Sequence, residues 1–407
     1  MSSKEFNPLL DRSILSLDSN TYYSLDRNPK VLDLKTVDTT LQAFRGGFTD
    51  GRFSYLSPKL SKIVRIDAMD FSSTGVSTLD LSSVDTSLEG YSGAFTDGKF
   101  GYFAPIGTSD GFGNNGKLVR INTETFDTND VAFFDLTTID TDLVGFHGCF
   151  NTSTHGYLVP HKTGGTPMGK IVRFGLGPPD FTDSTNYEVL DLESEVAAGN
   201  ITGAATSSSL KFRGFRTGAT DGKFAYFFPN FDDSPRWGSI IVRVDVNDFS
   251  ASGVSFIDLT QIDSRIKGYS GGYFQGRHVY LPPYVNDDTT YNPYLKVALD
   301  NFTKEGVKVL NTNTPEVVNQ LTGVSGDNLR RYRGGFFHGN FGYSLPRSNE
   351  TFLRINLKDF KTVEALKLTD IDADLEGFGA GFVDSFFAYL IPGDDGNHGK
   401  VVRFNLF

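Results

Sequence analysis

One cysteine and one tryptophan occur in 407 residues. A lone thiol, Cys149, excludes an intrachain disulfide and a thiolate-held metal cluster, and it fits a reducing compartment. It stands where other repeats of the chain carry Gly or Ala, so it reads as a small buried thiol rather than a nucleophile. Positive charge is also short: 38 Lys and Arg against 49 Asp and Glu leave a formal charge of −11. Such a balance repels polyanions and argues against wholesale nucleic-acid binding. No stretch approaches the roughly 20 apolar residues of a membrane span, and the opening MSSKEFNPLLDRS lacks an apolar core of signal-peptide length. The chain is therefore expected to be soluble and cytoplasmic, with the sequons at Asn151, Asn200, Asn301 and Asn349 read as chance occurrences. Catalytic signatures are missing too: there is no G-x-S-x-G elbow, no P-loop, no HExxH and no Cys/His spacing for zinc.

Aromatics and glycine are abundant, with 37 Phe, 17 Tyr and 44 Gly. They recur in register. Seven Gly-rich segments run into an aromatic strand ending at or near Pro, as in FRGGFTDGRFSYLSP from Phe44 and YSGAFTDGKFGYFAP from Tyr91. One tyrosine marks each copy, at Tyr55, Tyr102, Tyr157, Tyr226, Tyr280, Tyr343 and Tyr389. Strand repeats of this length belong to propellers or solenoids.

Each copy divides into four short strands. In the second, strand A is Tyr91 to Thr96, Asp97-Gly98 is a tight hairpin turn, strand B is Lys99 to Pro105, strand C is Lys117 to Asn122, and strand D runs about Val131 to Leu136. The expectation is an all-β, single-domain, seven-bladed propeller of four-stranded antiparallel blades. Its blades would cover 44–90, 91–145, 146–211, 212–268, 269–331, 332–377 and 378–407, behind an N-terminal extension of residues 1–30. The last copy stops after strand C. Residues 31–34 read VLDL, and KTVDTTLQAF after them matches the D-to-A connection SSVDTSLEGY, so residues 31–43 are expected to supply the strand that closes blade seven. Strand C carries Arg65, Arg120, Arg173, Arg243 and Arg403 where strand D carries Asp80, Asp135, Asp191, Asp258 and Asp33, a pattern that suggests cross-strand ion pairs. Blade six, with Arg354 and Lys367, breaks it.

In such blades the A-to-B turns share one face, and the B-to-C and D-to-A connections share the other. The second face carries every variable loop, among them GTSDGFGNNG, NFDDSPRWG, YVNDDTTYNPY and GDDGNHG, and is the expected recognition face. Strand A is innermost and starts at that face. The residue after its leading aromatic would lie at the mouth of the central channel: Arg45, Ser92, His147, Arg213, Ser270, Arg333 and Gly379. Such a ring could clamp an anion through charge-assisted hydrogen bonds. The competing expectation pairs those arginines with Asp38, Asp85, Asp140, Asp263 and Asp372 of the D-to-A connections. No cofactor is implied. The doublets Asp232-Asp233, Asp287-Asp288 and Asp394-Asp395 could serve a bound cation, but without the D-x-D-x-D-G spacing they read as solvated turns.

The glycine doublets followed by an aromatic strand, as in Gly46, Gly47 and Tyr55 or Gly334, Gly335 and Tyr343, resemble kelch-type propeller repeats over nearly the whole chain. Kelch repeats also carry a regular tryptophan, and the only one here is Trp237 in a loop. The resemblance implies the fold and transfers no catalytic residue. The leading expectation is a binding scaffold for an anionic small molecule, glycan or protein partner, with Arg45, Ser92, His147, Arg213, Ser270 and Arg333 as its site. One alternative is a lyase or hydrolase of an acidic saccharide with His147 as base, and another is a structural subunit of a larger assembly.

Overall fold

The T-D-G-x-F-x-Y sequence builds its own turn. In blade one Thr49 Oγ1 accepts from the Gly51 amide, and Asp50 accepts from the amides of Arg52 and Phe53 at 2.9 and 2.7 Å. The second Asp50 oxygen takes the Tyr55 hydroxyl at 3.0 Å. Asp97 with Tyr102, Asp221 with Tyr226 and Asp384 with Tyr389 repeat that bond, each at 2.8 Å. In these four blades the marker tyrosine is therefore a buried ring whose polar tip is satisfied at the turn, as a buried phenol requires.

In the computed structural model, which describes residues 25–407 except 108–113, 179, 205–209, 233–236, 397 and 407, these hairpins extend into seven four-stranded antiparallel sheets. The first is Phe44–Thr49, Phe53–Pro58, Lys62–Asp67 and Val76–Asp80. The second, Tyr91–Thr96, Phe100–Pro105, Lys117–Asn122 and Ala132–Asp135, follows the sequence expectation to within a residue or two. The seventh takes three strands from the end of the chain, Phe378–Val383, Phe387–Pro392 and Lys400–Asn405, and its fourth, Lys30–Asp33, from the beginning. Val31 pairs with Val402 and Leu32 with Val401. The protein is a seven-bladed β-propeller closed by its N-terminal strand.

The closure reaches further than a strand. Each complete C-to-D connection inserts one aromatic against the marker tyrosine of the preceding blade: Phe71, Phe126, Phe181, Phe249, Phe302 and Phe360. Blade seven has no such connection, and Leu25, five residues before Lys30, is buried in its place among Phe336, Tyr343, Phe352 and Phe404. Its amide donates to Glu364, and the Asn405 amide donates to Asp26.

The strand C arginines do not pair with the strand D aspartates. Backbone register sets Arg65 opposite Ser77 and Lys62 opposite Asp80. Arg65 lies between Phe53 of its own blade and Phe126 of the next, 4.5 and 4.3 Å from the ring centroids. Arg120, Arg243 and Arg403 are sandwiched likewise. Arg173, Arg243 and Arg403 also donate to the next blade's backbone at Val246, Leu299 and Ala68. These arginines rivet blade to blade through cation–π stacking and a carbonyl. The aspartates end strand D and cap the turn that follows: Asp33, Asp80, Asp135 and Asp258 each accept an amide two residues on, at 3.0 Å. In blades three and six the strand C arginine does meet a strand D acid, but it is the glutamate directly opposite, Glu188 for Arg173 at 2.8 Å and Glu364 for Arg354 at 2.7 Å, while Lys367 meets Glu350 at 3.0 Å. Two short helices follow the D strands of blades three and five: Leu192–Ala197, with Asp191 as its cap, and Pro315–Val318, where the Thr314 side chain makes no cap bond to the helix.

Candidate functional site

Strand A of six blades carries a register shift directly after its first residues, between Phe44 and Gly46, Tyr91 and Ala94, Phe146 and Gly148, Phe215 and Thr217, Tyr332 and Gly335, and Phe378 and Ala380. A bulge re-aims the residue it displaces. Glycine follows because adjacent inner strands nearly touch: a Cβ on Gly46 would lie 2.2 Å from Ser92 O. The displaced residues surround a central cavity of about 200 Å³.

Arg45, His147, Ser270, Arg333 and Gly379 line that cavity, and Ser92 Oγ is buried 3.1 Å from His147 Nδ1. Arg213 does not. The lining arginine of blade four is Arg216, because strand A there is Phe215–Thr220 rather than a segment opening at Phe212. Arg213 instead bonds Glu193 and the Asp232 carbonyl, each at 3.2 Å. The duplicated FRGFR obscured the register. Counting back from the hairpin turn recovers it: Arg45, Ser92 and Arg216 each stand five residues before Asp50, Asp97 and Asp221.

The acids of the D-to-A connections are engaged elsewhere. Asp38, Asp85, Asp140 and Asp372 hold Lys62, Lys117, Lys170 and Lys400, and Asp263 holds Arg265. The channel arginines meet the blade-seven loop. Arg45 Nε donates to Asp394 at 2.8 Å, while Arg333 Nη2 and Arg347 Nε reach Asp395 at 2.8 and 2.7 Å. Arg347, which sequence reasoning passed over, follows the last residue of strand B and also donates to the Tyr284 hydroxyl. Asp232 and Asp287 lie on other loops, Asp287 paired with Lys267 at 2.7 Å. The structure thus brings together Arg45, Ser92, His147, Ser270 and Arg333 from the expected set, adds Arg216, Arg347, Asp394 and Asp395, and leaves Arg213 outside.

Arg216 has no ion pair or hydrogen bond to its guanidinium among the described residues, although it is only 7 % exposed. The Tyr284 ring centroid lies 5.9 Å from the guanidinium carbon. Burial pulls its pKa down to about 9, with repulsion from Arg333 and Arg347 adding to the effect. Other loose ends gather around the same channel: Arg333 Nε, the Ser270 hydroxyl and one Asp394 oxygen are buried without partners. Burial pushes Asp395 up, but Arg333 and Arg347 outweigh it and hold the carboxylate ionised, below its ordinary range. Cys149 also lines the cavity, its thiol pushed far up by burial and so unreactive.

His147 and His161 pack edge to face at 5.4 Å, and His161 Nδ1 lies 3.0 Å from the Phe215 carbonyl. Burial above all holds both well below the ordinary histidine range, and Arg216 repels a proton on either. Each is neutral in the fold and free to protonate when unfolded. Stability is therefore whole above the unfolded pKa of about 6.5 and is lost as pH falls below it, by up to about 1.4 kcal/mol per pH unit for each ring. Denaturant titrations should give a flat free energy above about pH 7 and a decline from about pH 6.5 to 5. The His147→Gln/His161→Gln double variant should lose the largest share of that slope; an unchanged slope would contradict two buried neutral rings.

No protein-family model matches the chain, and no curated protein does. Among solved structures it is similar to the WD40 repeats of RRP9, with TM-score 0.60 and 7 % identity over 94 % of this chain and 99 % of that one. A chain of the mitotic checkpoint complex gives TM-score 0.57 and 9 % identity over 100 % of both. Hydrazine synthase of Kuenenia stuttgartiensis gives 0.55 and 12 % over 90 % of this chain and 96 % of that one. Identities this low establish shared architecture alone. The kelch-type likeness stays in the glycine doublets, which in the fold form the innermost wall, and the comparisons place the chain among seven-bladed β-propellers.

Proposed function

We propose that the protein is a binding propeller whose central channel takes a small anion on the variable-loop face. The observation that carries this reading is the buried Arg216 guanidinium with no acceptor among the described residues. A guanidinium largely withdrawn from water and without a bonded acceptor is poorly compensated, and an anion entering the channel supplies the missing partner through charge-assisted hydrogen bonds. Arg45 and Arg333 stand on the same cavity and Arg347 at its mouth, while Asp394 and Asp395 neutralise only part of the four guanidiniums. The propeller neighbours support a binding or scaffold role in general terms. For acid–base chemistry on His147 the geometry offers Ser92 and His161 as neighbours, and no carboxylate orients the ring among the described residues.

Arg216→Met tests the reading. Methionine of similar length replaces an unpaired buried charge, so the variant should melt at or above the wild-type temperature. Its affinity for anions should fall roughly 10- to 100-fold in calorimetric titration, the worth of one hydrogen bond to a charged group. Equal affinity of variant and wild type would remove the channel as the site.

A further inference from the structure

The charge and the directions of the channel groups narrow the ligand class, an inference that rests on the channel being the anion site. Four guanidiniums, Arg45, Arg216, Arg333 and Arg347, face two carboxylates, Asp394 and Asp395. Among the described residues, the other ionisable groups that line the cavity carry no charge: His147 is held neutral and the Cys149 thiol stays protonated. Two positive charges are left over. A monoanion would leave one of them buried and unmatched; a dianion cancels both.

Direction adds the second constraint. The available donors come from different blades and so approach the channel axis from different sides: Arg216 from blade four, the Ser270 hydroxyl from blade five and Arg333 Nε from blade six. A carboxylate is planar and presents its two oxygens in one plane and toward one side. A phosphoryl or sulfuryl group spreads its acceptors tetrahedrally, and a phosphate monoester still offers three strong oxygens. A cavity of about 200 Å³ walled by Gly46, Gly93, Gly148, Gly218, Gly271 and Gly334 has room for such a group on the axis and brings backbone, not bulky side chains, up to it. We infer that the channel binds a doubly charged tetrahedral oxyanion, phosphate or sulfate in chemistry, free or as the head of a larger molecule whose body would lie toward Tyr284 and Trp237.

Calorimetric titration of the full chain with sulfate, methyl phosphate, malonate and acetate at matched ionic strength tests this. Sulfate and methyl phosphate should bind at pH 7 at least about tenfold more tightly than malonate, a dianion of planar carboxylates, or acetate. The second ionisation of a phosphate monoester lies near pH 6, so between pH 7 and 5 methyl phosphate should weaken about tenfold as its dianion is depleted, while sulfate, ionised throughout, should hold its affinity. Malonate binding as tightly as sulfate, or methyl phosphate binding equally at both pH values, would overturn the inference while leaving an anion site in place. If none of the four binds, or if Arg216→Met binds all of them like wild type, the channel reading itself fails. Glycerol phosphate against inorganic phosphate separates the two sources: tighter binding of the ester identifies a head group and equal binding a free oxyanion, and either result upholds the class.

Discussion

Removal of residues 1–34 is expected to leave a chain that does not persist as a folded monomer. Leu25, Leu32 and Leu34 are all buried, and burying a leucine is worth about 1.5–3 kcal/mol. Their loss, with the ladder between Lys30–Asp33 and Lys400–Arg403, therefore amounts to most of the roughly 5–15 kcal/mol that keeps an ordinary domain folded. The cut also bares the edge of Lys400–Asn405, a template for pairing with other chains. Thermal melts and size-exclusion chromatography of the truncated chain should show aggregation or a melting temperature lowered by tens of degrees. Leu25→Ala isolates the newly seen part of the clasp and should cost about 2–4 kcal/mol, the usual range for emptying a buried leucine site. If the truncated chain melted within a few degrees of the full one, the ring would be held together by blade packing alone and the closure would be incidental.

The second large effect is expected at the channel wall. Gly46→Val places a branched side chain where a Cβ alone would already lie 2.2 Å from the Ser92 carbonyl and 3.1 Å from the Gly93 Cα. Both obstacles are backbone of the neighbouring inner strand, so no side chain can swing aside to make room. Forcing the strands apart should cost about 3 kcal/mol or more, at the upper end of overpacking penalties, and should reduce anion binding because blades one and two no longer converge on the axis. Gly177→Ala is the control: a Cβ there meets nothing within 4 Å, and its stability should match wild type. A Gly46→Val protein as stable as the control would mean that the inner strands can separate freely, against the close approach on which the site geometry depends.

Much of this architecture is written in short-range pattern. Asp-Gly turns, the tyrosine five residues after each turn acid, and the matching D-to-A connections act over a few residues, so reading along the chain recovers them, and the orphan VLDL strand identifies the closing partner by elimination. The pairing of charges is not legible in the same way, because sequence proximity does not fix which groups face each other. Arg65 and Asp80 lie on paired strands but three residues out of register, so the arginine turned to the rings of Phe53 and Phe126 and the aspartate to its own turn. Arg213 and Arg216 are indistinguishable along the chain because two phenylalanines three residues apart offer the same local signature, and only the paired strand decides which begins the sheet.

Seven strand repeats, their turn chemistry and the split last blade follow from local backbone preference and hydrophobic alternation, which each segment carries within itself. The company kept by the channel charges does not. Arg45 and Asp394 are 349 positions apart, and Arg333 and Asp395 are 62 apart. They meet because closing the ring brings blades one, six and seven to a common axis, where exclusion of water makes each remaining charge count.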